Sequence, residues 1–513
     1  MKKDNNKKFK YMFIIWILIL SIGLVKKTLQ NDTFYTIKIG KLILDNGIDM
    51  LDHFSFHTGL AYTYPHWLYD VFIYLIFHLF SYPGLYISSI VLLFIVLLMV
   101  FKTNIKITNN TIVSAFGVFL CALAISGFAT ARAQLASFVL FAMEIYFIES
   151  FLKSGNKRNL IGLIIISILI CNIHAAVWPF YYIVYLPYLA EYIITIICKK
   201  IKIKKENKFT KFIKSRIVLE ENKNIKYLFM TMIISLLTGL ITPIGDTPYT
   251  YFIKIAMGNA QDYVQEHQMM TWISSPFTII IAVETLFFAV ISKIKLRDLF
   301  MILGLSIMSV LSVRHISLLA LIGTICFVRV FDMFLETFNF RPEKKLIDFF
   351  NKKIIIIISF LIVIIFTTLM LINRYHNEEY IDKKFYPVDA LNYIKENIDI
   401  DKMRIFNEYN FGSYLLFNDI PVFIDSRADL YTKQFSGLDY DILDDFEFMP
   451  EFYQEKFEFY NITHVLIYKE NNQFYNMLNN DINYSILYED EYFVLFKRAE
   501  NIKQYINIKI TKD

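Results

Sequence analysis

The chain has 513 residues, 56% of them hydrophobic and 17% aromatic, with a mean hydropathy of +0.44. This composition excludes a soluble globular protein and indicates a polytopic membrane protein. Roughly 14 basic and 26 acidic residues follow Arg374, so the tail is acidic and the remainder strongly basic. Because cytoplasmic loops of membrane proteins collect Lys and Arg, the basic part implies no nucleic acid partner. The four cysteines lie in apolar segments, which excludes a disulfide framework.

The N-terminus carries five lysines, which precede an apolar run from Tyr11 to Val25. No small-residue cleavage site follows before Lys26, so we expect an uncleaved first transmembrane helix rather than a signal peptide. The lysines place the N-terminus in the cytoplasm. The next stretch, Asn31–Asp70, is rich in Asp, His and aromatic residues and is therefore expected on the outer side of the membrane.

The apolar run Trp67–Phe80 is short and polar for a span, which needs about 20 apolar residues. If it spanned, the basic loops Lys102–Asn110, Lys153–Asn159 and Lys199–Lys226 would all face outward, against the positive-inside rule. We therefore expect an interfacial helix in the outer leaflet. The first outer loop then runs over residues 27–83.

Ten further spans complete a multi-pass protein of the cytoplasmic membrane with about eleven transmembrane helices. They are Gly84–Phe101, Thr111–Gly127, Gln134–Leu152, Asn159–Ile173, Pro179–Cys198, Tyr227–Thr242, Pro276–Ile291, Leu296–Leu311, Ile316–Asp332 and Lys353–Leu371. This arrangement leaves the basic loops in the cytoplasm and the acidic tail outside.

The tail changes to short apolar runs that alternate with helical stretches, which predicts an extracytoplasmic α/β domain at 375–513 after a transmembrane domain at 1–374. The predicted strands are Met403–Asn407, Val422–Asp425, His464–Tyr468, Ser485–Tyr488 and Phe493–Lys497. The predicted helices include Val388–Asn397 and Pro450–Phe459.

Asp32 follows closely on the first helix, at the outer boundary between membrane and water. A polar acceptor and a lipid head group meet at that depth. A carboxylate there can take the proton from an attacking hydroxyl or hold a divalent ion. The structural alternative is an N-cap for the amphipathic helix predicted to begin at Thr33.

Two arginines lie at outer ends of predicted spans, Arg132 with Gln134 in ATARAQ and Arg314 with His315 in SVRHISLL. Guanidinium groups offer bidentate donors to a phosphate. Charges at membrane helix ends also reach water by snorkelling, which is the structural alternative. His174, in CNIHAAVWP, ends another span on the same side and is a candidate pocket residue.

Glu144 and Glu284 lie inside apolar spans, where a carboxylate is costly and is usually paired or functional. A proton-coupled transporter needs such groups, so these glutamates favour a transporter or lipid flippase as the alternative function. Glu266, in YVQEHQMMTW, belongs to the long outer loop after Pro243 and is either a site residue or a solvated loop residue.

Asp425 ends a predicted strand in the tail, with Arg427 and Asp429 two and four residues on. That spacing places the three on one side of an extended chain, where they can contact a sugar or an acceptor. A salt-bridged loop is the structural alternative. Asp52, in a predicted turn after Gly47, is a further candidate for substrate binding, although Asp is common in turns. The sequence has no phosphate-binding glycine loop, HExxH motif or nucleophilic triad.

These motifs together resemble a known family. Asn31–Asp32, a helix with Gly40 and Gly47, and then DHFSF and PHWLYDVFIYLIFHLF resemble the first outer loop of GT-C-type membrane glycosyltransferases. The likeness is to bacterial proteins of the dolichyl-phosphate-mannose and aminoarabinose transferase type, and to a large uncharacterised bacterial group. In that group it extends to RAQ, NIHAAVW, ITPIGD, SVRHISLL, FNEYNFGSYL and FIDSRADLY.

The resemblance implies a GT-C-like fold with Asp32 as the acidic catalytic base or metal ligand. It implies a polyprenyl-phosphate sugar as donor and a glycan, lipid or protein as acceptor, at the outer face of the membrane. Related sequences often carry a paired acidic motif where this chain has Asn31–Asp32. Whether this chain uses a divalent cation therefore stays open. His66 stands where they often show Glu and is expected to contact the substrate. A non-catalytic glycolipid-binding scaffold is the remaining alternative.

Overall fold

The computed structural model describes residues 2–200, 208–258, 269, 271, 275–340 and 343–499. Fifteen described helices precede the tail. They are α1 (Lys2–Leu24), α2 (Asn31–Asn46), α3 (Trp67–Thr108), α4 (Thr111–Ile125), α5 (Ala133–Ser154), α6 (Arg158–Ile173), α7 (Trp178–Lys200), α8 (Lys208–Arg216), α9 (Ile225–Ser235), α10 (Thr247–Met257), α11 (Pro276–Ile291), α12 (Leu296–Leu311), α13 (Ile316–Thr337), α14 (Glu343–Phe350) and α15 (Lys353–Asn377). Two short strands, β1 (Ile217–Val218) and β2 (Ile294–Lys295), pair in parallel.

Six of the described helical segments are long and apolar enough to cross a membrane, and three shorter apolar segments accompany them. The six are Trp67–Thr108, Thr111–Phe128, Ala133–Ser154, Ala175–Lys200, Val313–Thr337 and Lys353–Asn377; the shorter ones are Arg158–Ile173, Ile225–Leu240 and Pro276–Ile291. With α1 and α12 they account for every predicted span. The polytopic helical fold is therefore confirmed.

Helix α3 is broken between the predicted interfacial helix and the predicted span that follows it. Ser81 has a φ of 54° and a ψ of −153°, and Pro83 follows two residues later. Proline removes a backbone donor and disfavours helical geometry before it, which accounts for a break at this place. The first half of α3 packs closely on α2 at Gly40, where an added Cβ would lie 2.1 Å from the carbonyl oxygen of Asp70.

Buried ion pairs hold the helices together at the end of the bundle away from the tail. Arg297 donates to Glu191 at 2.9 Å. Arg329 donates to Asp298 at 2.6 Å and to Glu149 at 2.5 Å. All five side chains are buried, so each charge depends on its partner, since an unpaired buried charge is costly. Arg297 was not assigned a role from sequence, which gave no indication of this network.

Helix α15 lies on the periphery of the bundle. Ile362 and Phe366 on it are 61% and 59% exposed, which is the surface that membrane hydrocarbon covers. Its C-terminal end is fixed by Arg374, which donates to backbone carbonyls at the end of α1, among them Ile22 at 3.1 Å. Val25 also accepts from the same guanidinium. The tail therefore starts from a point anchored on the first helix.

The tail is a small α/β domain, as expected. Its helices are α16 (Val388–Asn397), α17 (Tyr409–Phe417), α18 (Lys433–Ser436), α19 (Ile442–Glu447), α20 (Met449–Phe459) and α21 (Asn472–Asn480), and its strands are β3 (Ile405–Asn407), β4 (His464–Tyr468), β5 (Tyr484–Glu489) and β6 (Phe493–Arg498). The strand order is β3-β4-β6-β5, with β3 parallel to β4 and the other pairs antiparallel.

The predicted strand Val422–Asp425 is wrong. Its apolar residues are buried, but they form a single parallel bridge with the first outer loop, between Val422 and Ser55, instead of joining the sheet. Phe56 donates its backbone N–H to the Val422 carbonyl at 3.1 Å. The run is apolar because it is covered by the outer loop, and burial alone does not separate that case from a strand.

The first outer loop and the tail share one apolar core. Phe34 of α2 packs edge-on against Tyr386 and Tyr414 of the tail, with ring centroids 5.0 and 5.2 Å apart. The same core continues to Val465 and Phe496 in the central strands of the sheet. Helix α2 is therefore held between the tail and the bundle, and Asp32 in its first turn faces the space between them.

Candidate functional site

A cavity of about 710 Å³ lies between the end of the helix bundle and the tail. It brings together most of the residues proposed from sequence, although they are far apart in the chain. The proposed residues that line it are Asp32, His66, Arg132, Gln134, His174, Arg314, His315 and Arg427. Asp52 and Asp425 do not line it, and Glu266 lies outside the described residues.

Asp32 forms an ion pair with Arg132, with 2.5 Å between the carboxylate Oδ2 and the guanidinium Nη2. Both side chains keep about a quarter of their surface exposed, at 23% and 25%. Helix α2 begins at Asn31, two residues earlier than expected, and Gln30 is its N-cap. Asp32 thus lies inside the first turn, and the alternative that it serves as the N-cap is wrong. Its carboxylate is turned to the cavity and to Arg132.

Arg314 supplies the second cation of the cavity, from the short turn that joins α12 to α13. Among the residues that the structure describes, no carboxylate forms an ion pair with it. Its neighbours are held in place by other contacts: His315 hydrogen bonds the Met308 carbonyl at 2.9 Å, and Gln134 donates to Ser317 at 3.1 Å. The guanidinium is therefore available to an anionic ligand.

His66 forms the centre of a buried hydrogen-bonded chain at the cavity wall. Its Nδ1 is 2.7 Å from Oδ1 of Asp70, and its Nε2 is 3.0 Å from the hydroxyl oxygen of Tyr35. Burial opposes a charge on the ring, but the Asp70 carboxylate outweighs it, and the pKa of His66 lies above its usual value. His174 lies beside it and bonds Ser137 at 2.9 Å.

The tail contributes acidic and amide groups to the cavity, namely Glu408, Asp429 and Asn471. Glu408 accepts from the backbone N–H of Tyr468 at 3.1 Å and from Asn471 at 3.4 Å. Burial raises the pKa of Glu408 to about 7. Asp429 accepts from Tyr251 of α10 at 2.6 Å, which ties the tail to the bundle. The bundle side of the cavity thus carries Arg132 and Arg314 beside Asp32, and the tail side carries Glu408 and Asp429 beside Arg427.

Arg427 belongs to a buried network more than to the cavity, although it touches its wall. It donates to both oxygens of Asp425, at 2.8 and 2.7 Å, and to Asp52 at 2.7 Å. Tyr431 donates to the same Asp425 at 2.5 Å. Burial works against the charge of Asp52, but Arg427 outweighs it and holds the pKa of that carboxyl below its usual value. Of the two roles expected for Asp425 and Arg427, substrate contact or a salt-bridged loop, the geometry shows the salt-bridged loop.

The residues around Asp32 do not fit a resident divalent cation. Its carboxylate is paired with a guanidinium. In the described parts of the chain, no three His, Cys, Asp or Glu side chains lie together so that they could hold a metal ion. A metal ion therefore has no part in the reaction proposed below.

The two intramembrane glutamates are separate from the cavity. Glu144 is fully buried in α5, and neither of its carboxyl oxygens has a hydrogen-bond partner among the described residues. Glu284 is exposed on the surface of α11. The cavity reaches Phe141 on α5, and neither glutamate lines it.

A second, smaller groove of about 260 Å³ lies between α7 and α12. It is lined by apolar side chains and one glycine: Ile183, Leu186, Pro187, Ala190, Phe300, Met301, Gly304 and Leu305. Phe180, which lines the main cavity, precedes Ile183 by about one helical turn on α7. The groove therefore starts close to the cavity and follows the two helices into the membrane part of the bundle.

Tyr35, Asp70 and Glu408 were not assigned roles from sequence. Tyr35 could have been found, because it follows Asp32 by three residues on a predicted helix, and such residues share a face. Glu408 carries no local signal, since it gains its role from Tyr468, at the end of β4, and from Asn471 shortly after it.

Comparison with known proteins identifies the fold. No family model matches the chain, and no curated protein matches it. A crystal structure of the Archaeoglobus fulgidus oligosaccharyltransferase, tethered with an acceptor peptide containing the NVT sequon via a disulfide bond, superimposes with a TM-score of 0.55 at 11% sequence identity. The match covers 90% of this chain and 69% of that chain. The protein therefore has a GT-C-like membrane fold with a C-terminal α/β domain.

Proposed function

We propose that the protein is a membrane glycosyltransferase that transfers a sugar from a polyprenyl-phosphate donor to an acceptor hydroxyl at the outer face of the cytoplasmic membrane. One observation carries the proposal. A carboxylate and two guanidinium groups, from Asp32, Arg132 and Arg314, meet in one cavity although they come from three separate segments. The neighbour of similar fold is named as an oligosaccharyltransferase, which favours the same reaction class.

In the proposed reaction, Asp32 takes the proton from the acceptor hydroxyl as its oxygen attacks the anomeric carbon. The new bond forms between that oxygen and that carbon. The bond from the carbon to the phosphate oxygen breaks, and the lipid phosphate leaves with the electron pair. Arg314 and Arg132 stabilise the charge that develops on it, as cations fixed in advance can do. Attack opposite the leaving group inverts the anomeric centre.

The surroundings of the cavity fit the two substrates. The apolar groove between α7 and α12 fits the polyprenyl chain, because it starts near the cavity and none of its lining residues is charged. The acidic and amide groups of the tail fit the hydroxyls of an acceptor glycan, lipid or protein. This assignment requires the cavity and the tail on the outer side and the N-terminus in the cytoplasm, as the basic loops predict.

The transporter alternative finds less support. Transport through Glu144 and Glu284 requires a path on which both carboxylates lie, whereas the main cavity contains Asp32 and neither glutamate. Glu284 faces outward from α11, on the side that lipid covers. The proposal of sugar transfer is therefore preferred over transport.

The test is lipid analysis of a strain that lacks the protein. We expect polyprenyl-phosphate-linked sugar to accumulate and a glycan decoration to disappear. The wild type and the Asp45→Asn control should restore both, because Asp45 is exposed on the same helix away from the cavity. Asp32→Asn, present in the membrane at the same level, should restore neither. If Asp32→Asn restored the lipid level and the glycan decoration, Asp32 would not be the base, and the non-catalytic glycolipid-binding scaffold would be favoured.

A further inference from the structure

Tyr35 and Asp32 stand side by side on α2. They are separated by three residues, and side chains at that spacing share one face of a helix. Both line the cavity. Burial, and after it the charge of Asp32, raises the pKa of the Tyr35 hydroxyl, so this group keeps its proton. A neutral hydroxyl therefore stands beside the carboxylate that we assign as the base.

The orientation of this hydroxyl is fixed by a second pair of residues. His66 holds the oxygen of Tyr35 at 3.0 Å through Nε2, and Asp70 holds the other ring nitrogen at 2.7 Å. Asp70 and His66 are buried, with 0% and 8% of their surface exposed. Because an acidic group binds Nδ1, that nitrogen carries a hydrogen in both charge states of the ring. Whether Nε2 carries a hydrogen then decides whether Tyr35 presents its hydroxyl hydrogen or only its lone pairs to the cavity.

We propose that Tyr35, positioned by His66 and Asp70, donates its hydroxyl hydrogen to a phosphate oxygen of the lipid donor beside Arg132. When Nε2 carries a hydrogen, it donates to Tyr35, and the hydroxyl hydrogen of Tyr35 is free to point into the cavity. When Nε2 lacks one, Tyr35 donates to the ring and presents only lone pairs, which repel phosphate oxygens. Tyr35 contacts the substrate, whereas His66 and Asp70 act through it.

The charges around His66 favour the donating state. Asp70 on its own helix, Asp32 on α2 and Asp429 in the tail all raise its pKa. Against them stands burial of the ring, which opposes its charge. The balance places the pKa of His66 above its usual value. The hydrogen bond to phosphate is therefore present at low pH and is lost as pH rises through the pKa of His66.

This inference rests on the proposed donor, so its test measures binding and does not require sugar transfer. The probe is geranylgeranyl methyl phosphate, a diester like the donor, added to the full-length protein in detergent. A diester keeps one charge across the pH range, whereas a phosphate monoester would itself titrate near pH 6. Kd is measured from pH 5.5 to 9 by isothermal calorimetry.

For the wild type we expect Kd to increase about 10-fold as pH rises, since a hydrogen bond to a charged group is lost. Tyr35→Phe should bind about 10-fold more weakly at low pH and show no such increase. Asp70→Asn should move the transition to lower pH, because the ring loses the carboxylate that raises its pKa. Arg314→Gln should weaken binding at every pH and leave the transition in place.

Tyr69→Phe is the matched control. It removes a buried hydroxyl beside Asp70 that does not line the cavity, and binding should not change. Unaltered pH dependence in Tyr35→Phe, or failure of the wild type to bind the diester, would overturn the inference. Diester binding with the expected pH dependence, together with no lipid accumulation in the deletion strain, would support Tyr35 and refute sugar transfer. The two failures are thus distinguishable.

Discussion

Replacement of Arg427 by Met tests whether this residue serves the fold or the substrate. Arg427 makes three side-chain hydrogen bonds to Asp425 and Asp52, and the side chains of all three residues are buried. Arg427→Met keeps an apolar side chain of similar length at this position but leaves the carboxylates of Asp425 and Asp52 without their cation. Removal of one partner from a buried ion pair costs about 3–5 kcal/mol. We expect a loss of that size in the stability of the tail.

The loss is measured as a shift of the thermal unfolding midpoint of the protein in detergent. For a unit of roughly 139 residues, the size of the tail, 1 kcal/mol corresponds to about 3 °C, so the midpoint should fall by about 9–15 °C. The direction in which the unfolding midpoint changes with pH should also reverse. In the wild type, Arg427 holds the pKa of Asp52 low, so stability is lost as pH falls through that pKa. In Arg427→Met, a lower pH neutralises the carboxylates and should raise the midpoint.

A charge-balanced variant is the control. Adding Asp52→Asn and Asp425→Asn to Arg427→Met removes the unpaired charges, and most of the lost stability should return, as with other buried ionic groups replaced together. A midpoint that stays at the wild-type value in Arg427→Met, combined with weaker substrate binding, would refute the structural role. It would restore Arg427 as a sugar or acceptor contact.

Two further variants test other features. Glu408→Gln should remove a pH dependence of stability: the raised pKa of Glu408, about 7, stabilises the wild type at acidic pH, and this contribution is lost between about pH 4.5 and 7. The unfolding midpoint should therefore fall over that range in the wild type and not in Glu408→Gln; equal slopes would contradict the burial of this carboxyl. Gly40→Ala should cost about 1–3 kcal/mol or more, because its Cβ would meet the Asp70 backbone. Gly304→Ala, where a Cβ meets nothing within 4 Å, is its control in the same unfolding assay; equal midpoints in the two would disprove the tight packing of α2 on α3.

The sequence predicted those features that depend on position relative to the membrane. Asp32, Arg132 and Arg314 were singled out because each follows or precedes a span on the same side. The break of α3 near Ser81 was expected from charge, since a span at Trp67–Phe80 would have turned three basic loops outward. Such arguments need only the order of apolar and charged segments, which a sequence displays directly.

Contacts between distant segments could not be predicted in the same way. Asp52 and Arg427 are 375 positions apart, and either residue alone is equally suited to a turn or to a substrate. The burial of Val422 beneath the outer loop gives the same apolar run as a strand. Arg297 lies at the start of a predicted span, and nothing local in the sequence indicates that Glu191 is its partner. In each case the partner, and not the local pattern, decides the role.

The core that α2 shares with the tail also bears on how substrates exchange. Lifting the tail off the bundle would return Phe34 and Tyr414 to water, at about 1.5–3 kcal/mol for each large side chain. It would also separate Arg427 from Asp52, at about 3–5 kcal/mol. Together these costs leave such an opened form below about one molecule in 10⁴. The tail is therefore a fixed wall. Under the proposed function, lipid donor and spent carrier would exchange sideways with the bilayer, which would make turnover a property of the surrounding lipid as well as of the protein.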